Sequence, residues 1–254
     1  MNMKRVDNEI EDHNKNVLEN SYKLKNIFCH INTYPARIKI EEILTNEYRY
    51  LENKNVLDYG CGWGENSKVY ASYGAKTVGI DITEKFINQA NKNNKNKNLK
   101  FMIMDCHNLE FRDNTFDYIF GDGILHHLDF MQSINEIARC LKKGGKAFFF
   151  EPLGGHPLLK IFRLATPFAR TREERPFFQS DLDSITKTLE KNFTVDYYCC
   201  GLLSAPIAII TSLFWRHNPD NLLLRFAEKI DLFFEQKKIL RSWNQYCVIK
   251  IIKK

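Results

Sequence analysis

The sequence predicts an α/β fold, a doubly wound and mostly parallel sheet with helices on both faces. Three observations predict it. Between residues 55 and 151, runs of strand length recur that are apolar throughout, the pattern of strands buried on both faces. Segments with helical apolar spacing separate most of these runs, as crossover connections between parallel strands require. The first strand also enters its helix through a turn with glycine at alternate positions, "YGCGWGEN" (59–66). At 254 residues and 44% hydrophobic content, the chain suits one sizeable domain with insertions, or a domain and a cap.

Taken in order, "ARIKIEEILTNEYRYL" (36–51) has helical spacing, and "NVLDYG" (55–60) is a short buried strand. "ENSKVYASYG" (65–74) is a helix closed by Gly74, and "TVGID" (77–81) the next strand. "TEKFINQANK" (83–92) is a helix with Thr83 as its cap. "LKFMIMD" (99–105), "FDYIFG" (116–121) and "KAFFFE" (146–151) are further strands. "MQSINEIARCLKKGG" (131–145) is an amphipathic helix ending on basic residues and glycine. Beyond residue 151 the alternation loosens. "SDLDSITKTLEKN" (180–192) is a helix, and "TVDYYCC" (194–200) and "QYCVIKII" (245–252) are strands. More than forty residues separate those two strands where a tight hairpin would suffice. Together with 152–177, they are the material from which a substrate lid can be built. The expected division is an N-terminal helical arm (1–54), a core (55–200 and 244–254) and a helical lid insertion (201–243).

The formal net charge of +6 permits attraction to anionic partners without demanding it. The lysines of "NKNNKNKN" (91–98) have no aromatic residues among them for base stacking, so that run reads as a solvated loop and no nucleic-acid partner is expected. The N-terminal stretch lacks the apolar core of a secretory signal, and no stretch matches a membrane span. The seven cysteines form no CxxC pair, so reduced thiols in a cytoplasmic protein are expected and no metal site is.

A strand feeding a helix through glycines brings backbone N–H groups close to a ligand at the carboxyl edge of the sheet. The dinucleotide fingerprint wants GxGxxG. Here Gly60, Gly62 and Gly64 give GxGxG, Glu65 takes the third-glycine position, and Asp58 precedes the turn. Both carboxylates oppose a pyrophosphate and favour a cationic, phosphate-free ligand, for which S-adenosylmethionine, with its sulfonium and ammonium, is the fit. Asp81 ends the second strand where an acid can accept from both ribose hydroxyls. Asp105 ends the third, where it can accept the adenine amino hydrogens while the Cys106 N–H meets the ring.

"VLDYGCGWG", "VGID", "MDCHNLEF", "FDYIFGDGILHHL" and "ARCLKKGGKAFFFEP" resemble, in this order, the motifs of the class I S-adenosylmethionine-dependent methyltransferases. The likeness is greatest to their small-molecule and lipid branch, of methyltransferase type 11, and it covers residues 55–152. It implies a Rossmann-like, seven-stranded sheet whose last strand is antiparallel. By the same resemblance, Gly60, Cys61 and Gly62 would line the methionine part of the cofactor. Asp81 and Ile82 would bracket ribose and adenine, Asp105 and Cys106 would read the adenine edge, and Gly121 would lie under the sulfonium. Asp58 would support the amino group, directly or through water.

Methyl transfer is an in-line displacement that needs a base only when the acceptor keeps its proton. "GDGILHHL" (121–128) follows the fourth strand, which makes His126 and His127 the candidate bases. His127 is favoured, because resembling enzymes place their functional histidine just before that leucine. Glu151 can contact an acceptor or cap the "PLGG" turn. His13, Tyr22 and Tyr34 can close over the cofactor or simply pack. Arg170, Arg172 and Arg175 can grip an acidic acceptor or pair with Glu173 and Glu174. The segment "LLSAPIAIITSLFW" (202–215) is strongly apolar, and the next helix puts Leu223, Phe226, Ile230 and Phe233 on one face, flanked by Arg225, Lys229, Lys237 and Lys238. Residues 202–240 can therefore meet a membrane peripherally, cover a long apolar acceptor, or pack on the sheet. The expected function is methyl transfer to a small or lipid-like acceptor, oxygen before nitrogen or carbon. The fourth strand ends in "GDGI" and lacks the Asn/Asp-Pro-Pro-aromatic tetrad of nucleic-acid amino methylation. An NAD-dependent oxidoreductase and a non-catalytic cofactor-binding module are the rivals.

Overall fold

β1 (Asn55–Tyr59) is buried from Val56 onward and pairs in parallel with β2 (Lys76–Asp81) on one side and β4 (Phe116–Asp122) on the other. β2 also pairs in parallel with β3 (Leu99–Ile103), and β4 with β5 (Leu141–Pro152). The full sheet has seven strands in the order β3-β2-β1-β4-β5-β7-β6, with β6 at Phe193–Cys200 and β7 at Tyr246–Lys253. The Gln245 N–H donates to the Cys200 carbonyl and the Lys254 N–H to that of Asn192. Residue numbers that rise along one strand and fall along the other make β7 antiparallel to β6. The computed structural model describes residues 11–12, 17–92, 94–169, 171, 174–218, 220–234 and 237–254.

The chain divides into two compact units. One comprises Leu44–Glu151, Asp183–Tyr197 and Val248–Lys254. Its core is aromatic: Phe120 stacks on Tyr70 at 4.7 Å and on Phe148 at 5.6 Å between ring centroids. In this unit the helices α3 (Glu65–Ser72), α4 (Glu84–Lys92), α5 (Phe130–Cys140) and, from Asp183 onward, α7 (Gln179–Leu189) flank the strands. Two elements depart from their sequence expectation. β3 stops at Ile103, the Met104 N–H making the last ladder bond to the Asp81 carbonyl, and Asp105 lies in the following loop. α5 ends at Cys140, so residues 141–145 do not extend it. Leu141 already pairs with Phe116, the register shifts before Tyr118, and Gly144 at φ +74° makes the bend.

The other unit comprises Met1–Ile43, Pro152–Leu182 and Tyr198–Cys247. It holds α1 (Val17–Ile27), most of α2 (Pro35–Tyr48), α6 (Pro157–Ala165), α8 (Ser204–Phe214) and α9 (Leu222–Phe234). α8 and α9 form a hairpin. Asp231 of α9 accepts from the Leu203 and Ser204 N–H groups, closing the N-terminus of α8 as a helix cap does. His30, fully buried, ties the arm to α8 through its ring to Thr211 Oγ1 at 2.9 Å and its N–H to Ser212 Oγ at 2.9 Å. Leu224, Ala227 and Asp231 face into this unit. The apolar row marked by the sequence faces away from it, with Phe226 63% and Phe233 75% exposed.

Candidate functional site

The site is built on the carboxyl ends of β1, β2 and β4 and on the loops that follow them. Gly60, Gly62 and Gly64 all take positive φ, +74°, +50° and +78°. At Gly60 this is obligatory in a second way, since an added Cβ would lie 2.5 Å from Ile124 of the loop after β4. At Gly62 nothing lies within 4 Å of that position, so the turn is open on this side.

The amides of the turn are already engaged. Cys61 donates to the Ile80 carbonyl, Gly62 to Asp81 Oδ2 at 2.9 Å, and Gly64 to the Cys61 carbonyl. A pyrophosphate cradled on those N–H groups would have to displace all three bonds next to a carboxylate. A dinucleotide would thus find these three donors already engaged.

Asp81 is 9% exposed, and its Oδ1 accepts from the Thr83 N–H at 2.8 Å. It is thus a strut between β2, the glycine turn and α4, and each oxygen keeps a lone pair for a ribose hydroxyl. Thr83 sits directly before α4, where the sequence puts the cap. Ile82, half-buried, follows Asp81. Asp105 Oδ1 accepts from both the N–H and the ring Nδ1 of His107, each at 2.8 Å. Its Oδ2 is buried and has no hydrogen-bond partner among the described residues. A buried carboxylate oxygen without a donor is costly, and a ligand N–H placed there would satisfy it. Cys106 is buried beside it, its carbonyl taken by the Tyr59 hydroxyl. Burial pushes the Cys61 and Cys106 thiols up, so both are neutral and neither is a nucleophile.

Asp58 is buried and accepts from the Ser67 hydroxyl of α3. Burial raises its pKa to about 7, opposed by the Ser67 bond and assisted by the charges of Asp122 and Asp81. Asp122, at the end of β4, is a fourth acid of this rim that sequence reasoning passed over, although "GDGI" contains it. His107 was passed over as well. Its Nε2 accepts from the Asp129 N–H, so Nδ1 carries the proton and the ring ties the β3 loop to the start of α5. Gly121 is buried in β4, where a Cβ would meet Phe149 at 2.6 Å.

The two histidines share the short 3-10 turn Leu125–His127. His126 is buried and its Nδ1 lies 2.7 Å from Glu151 Oε2. His127 is half-buried, its ring 4.1 Å from that of His126. Glu151 does not cap the "PLGG" turn. It accepts from the N–H groups of Ile124 and Leu125 at 3.1 and 2.8 Å, and so fixes the histidine loop to the end of β5. Full burial lifts its pKa to about 7 against those bonds. An open depression of about 490 Å³, lined by Trp63, Glu65, Lys68, Lys85 and Gln89, contains none of these groups.

The remaining candidates of the sequence are placed as follows. Tyr34 is fully buried in the other unit, its hydroxyl on Gln245 at 3.1 Å, a packing role. Arg175 forms a two-pronged pair with Asp181, and Glu174 pairs with Arg163. Tyr22 lies on α1. His13, Arg170, Arg172 and Glu173 lie outside the described residues.

Residues 57–149 match the family model described as a methyltransferase domain. They form a class I S-adenosylmethionine-dependent methyltransferase domain. Among curated relatives, the ubiquinone biosynthesis O-methyltransferase of Coxiella burnetii is 34% identical over 119 residues, 45% of this chain and 49% of the relative. The sterol 4-C-methyltransferase strm-1 of Caenorhabditis elegans is 29% identical over 133 residues, 50% of this chain and 36% of the relative. The chain thus spans about half the length of the first of these, and less of the second. Phosphoethanolamine N-methyltransferase 2 of Haemonchus contortus, solved with phosphomonomethylethanolamine and S-adenosylhomocysteine, superposes with a TM-score of 0.55 over 82% of this chain and 52% of that one. At 20% identity, that likeness is one of fold. The methyltransferase domain keeps the glycine turn, Asp81, Asp105 and the histidine loop within one compact unit.

Proposed function

We propose that this chain transfers the methyl group of S-adenosylmethionine to a small or amphiphilic acceptor, with oxygen as the receiving atom, in the cytoplasm. The observation that carries the reading is the turn whose Cys61, Gly62 and Gly64 amides are bonded within the protein, beside unspent carboxylate capacity at Asp81 and Asp105. That arrangement suits a phosphate-free, cationic nucleoside. Asp81 and Ile82 would hold the ribose side, Asp105 Oδ2 the adenine amino group, and Gly60, Cys61 and Gly62 the methionine part, above Gly121. Asp58, kept close to neutrality by burial, would meet the amino group through the turn. The cofactor supplies an activated methyl group poised for in-line displacement.

The chain's own contribution to the reaction is proton handling and position. A hydroxyl acceptor must lose its proton, and His127 is the group proposed to take it. Glu151 and His126 hold that imidazole by fixing the loop, a positioning role. Support for an amphiphilic acceptor comes from the relatives, a ubiquinone biosynthesis O-methyltransferase and a sterol 4-C-methyltransferase.

Calorimetric titration tests the cofactor. S-adenosylhomocysteine is expected to bind in the micromolar range and NADH not at all, and the reverse result overturns the reading. Incubating the protein and methyl-tritiated cofactor with a solvent extract of membranes tests turnover. Label is expected in an extractable small molecule, and its absence from every fraction favours the non-catalytic module.

A further inference from the structure

The unit formed by Met1–Ile43, Pro152–Leu182 and Tyr198–Cys247 holds most of the large apolar side chains that are exposed among the described residues, and close to half of all of them fall between 210 and 243. Isolated exposed leucines need no explanation, but a concentration of this size does. On α9 the division is sharp. The side facing into the unit is Leu224, Ala227 and the capping Asp231. The side facing out is Leu222, Phe226 and Phe233, at 82%, 63% and 75% exposure. The end of α8 continues the outward surface with Leu213 and Phe214 at 58% and 73%.

Among the described residues of this hairpin, exposed basic side chains outnumber exposed acidic ones. Arg216, Arg225, Lys229, Lys237 and Lys238 are exposed, and the exposed acid among the described residues of 204–243 is Asp220. Asp220 is held by Arg225 in a two-pronged pair, which leaves the hairpin cationic. Asp231 is turned inward as a helix cap, and Glu228 pairs with Lys39. Trp215 and Trp243 are 48% and 44% exposed, a residue type that settles where hydrocarbon meets headgroups.

We infer that the α8–α9 hairpin is a docking surface for an anionic lipid bilayer, on which α9 lies in the membrane plane with Leu222, Phe226 and Phe233 among the acyl chains. Greasy side chains interleaved with lysine and arginine match a surface that is apolar below and negative above. A second copy of this chain would meet the same positive charge and be repelled. No helix among the described residues is long and apolar enough to cross a membrane, so contact in the plane is the form this surface takes. The inference does not rest on methyl transfer, and its test requires neither cofactor nor turnover.

Sedimentation with vesicles decides it. The full chain is expected to pellet with phosphatidylglycerol–phosphatidylcholine vesicles at least about tenfold more strongly than with phosphatidylcholine alone, and raising salt from about 0.05 to 0.5 M should erase most of that preference. The double variant Phe226→Ser/Phe233→Ser should lose at least about tenfold in vesicle affinity while keeping its melting profile and its affinity for S-adenosylhomocysteine. Lys229→Glu/Lys237→Glu should lose the preference for anionic vesicles. Equal pelleting of the phenylalanine variant, or no pelleting with anionic vesicles, overturns the inference. So does a vesicle-free dimer that the phenylalanine substitutions dissolve, which would make a second copy the occupant.

Discussion

The rim of β1, β2 and β4 and the α8–α9 hairpin spend their side chains in opposite ways. At the rim, buried polar groups are matched almost atom for atom: Asp81 to two amides, Glu151 to a loop, His107 to Asp105 and Asp129. The exception among the described residues of the rim is Asp105 Oδ2, a buried acceptor that a ligand donor could satisfy. On the hairpin the unmatched groups are apolar and numerous, and they face outward. One orphaned oxygen calls for a single directed donor, whereas a spread of exposed phenylalanine and leucine calls for an undirected apolar medium. The first region selects a molecule and the second selects a kind of surface.

The largest effect expected at the rim comes from His127→Ala. Turnover should fall by about 10²–10⁴-fold while S-adenosylhomocysteine affinity changes by less than about threefold, read by labelled-methyl assay and calorimetry. Unchanged turnover would move the proton acceptor away from this loop. Next is Asp81→Ala, which removes the acceptor of the Gly62 and Thr83 N–H groups and the acceptor proposed for the ribose. Cofactor affinity should drop about 100-fold or more, measured by calorimetry, and a loss of less than about threefold would break the strut reading of Asp81.

The smallest effect sharpens the comparison through pH. Asp58 has a folded pKa of about 7 against an ordinary value of 3.8, raised chiefly by burial. A group raised on folding favours the folded state while protonated. Its stabilising contribution is therefore complete below about pH 4 and is lost as pH rises through 7. Urea denaturation of the unliganded protein should show stability falling across that window, with Glu151 contributing in the same direction. Asp58→Asn should flatten the fall by an amount on the order of 1 kcal/mol. A slope identical to that of the unsubstituted protein would mean that Asp58 is already solvated.

The strands, the glycine turn and the acids at the strand ends were legible because each is set by local chemistry. A buried parallel strand is apolar throughout, a positive φ demands glycine, and an acid after a strand falls at the sheet's edge. What the pattern hid depends on distant partners. Glu151 reads as a turn cap until β5 is placed beside β4, when its carboxylate meets residues more than twenty positions earlier. Asp105 reads as the last residue of a strand until the ladder is seen to end with the Met104 amide on Asp81. On α9 the apolar row was correctly read as one face. Its outward orientation was hidden because helix periodicity gives a stripe without saying which way it points. The inward side is chosen by the small Ala227 and by Asp231, whose task is to close another helix.

The three engaged amides of the glycine turn have a consequence for life among abundant metabolites. Adenosine-bearing coenzymes with phosphate tails share half of their structure with the proposed ligand. A pocket that recognised adenosine alone would spend most of its time clogged by them. Because Cys61, Gly62 and Gly64 have already given their hydrogens away, such tails would find carboxylates where they need donors, and under the proposed function the backbone itself would discriminate before any ligand arrives.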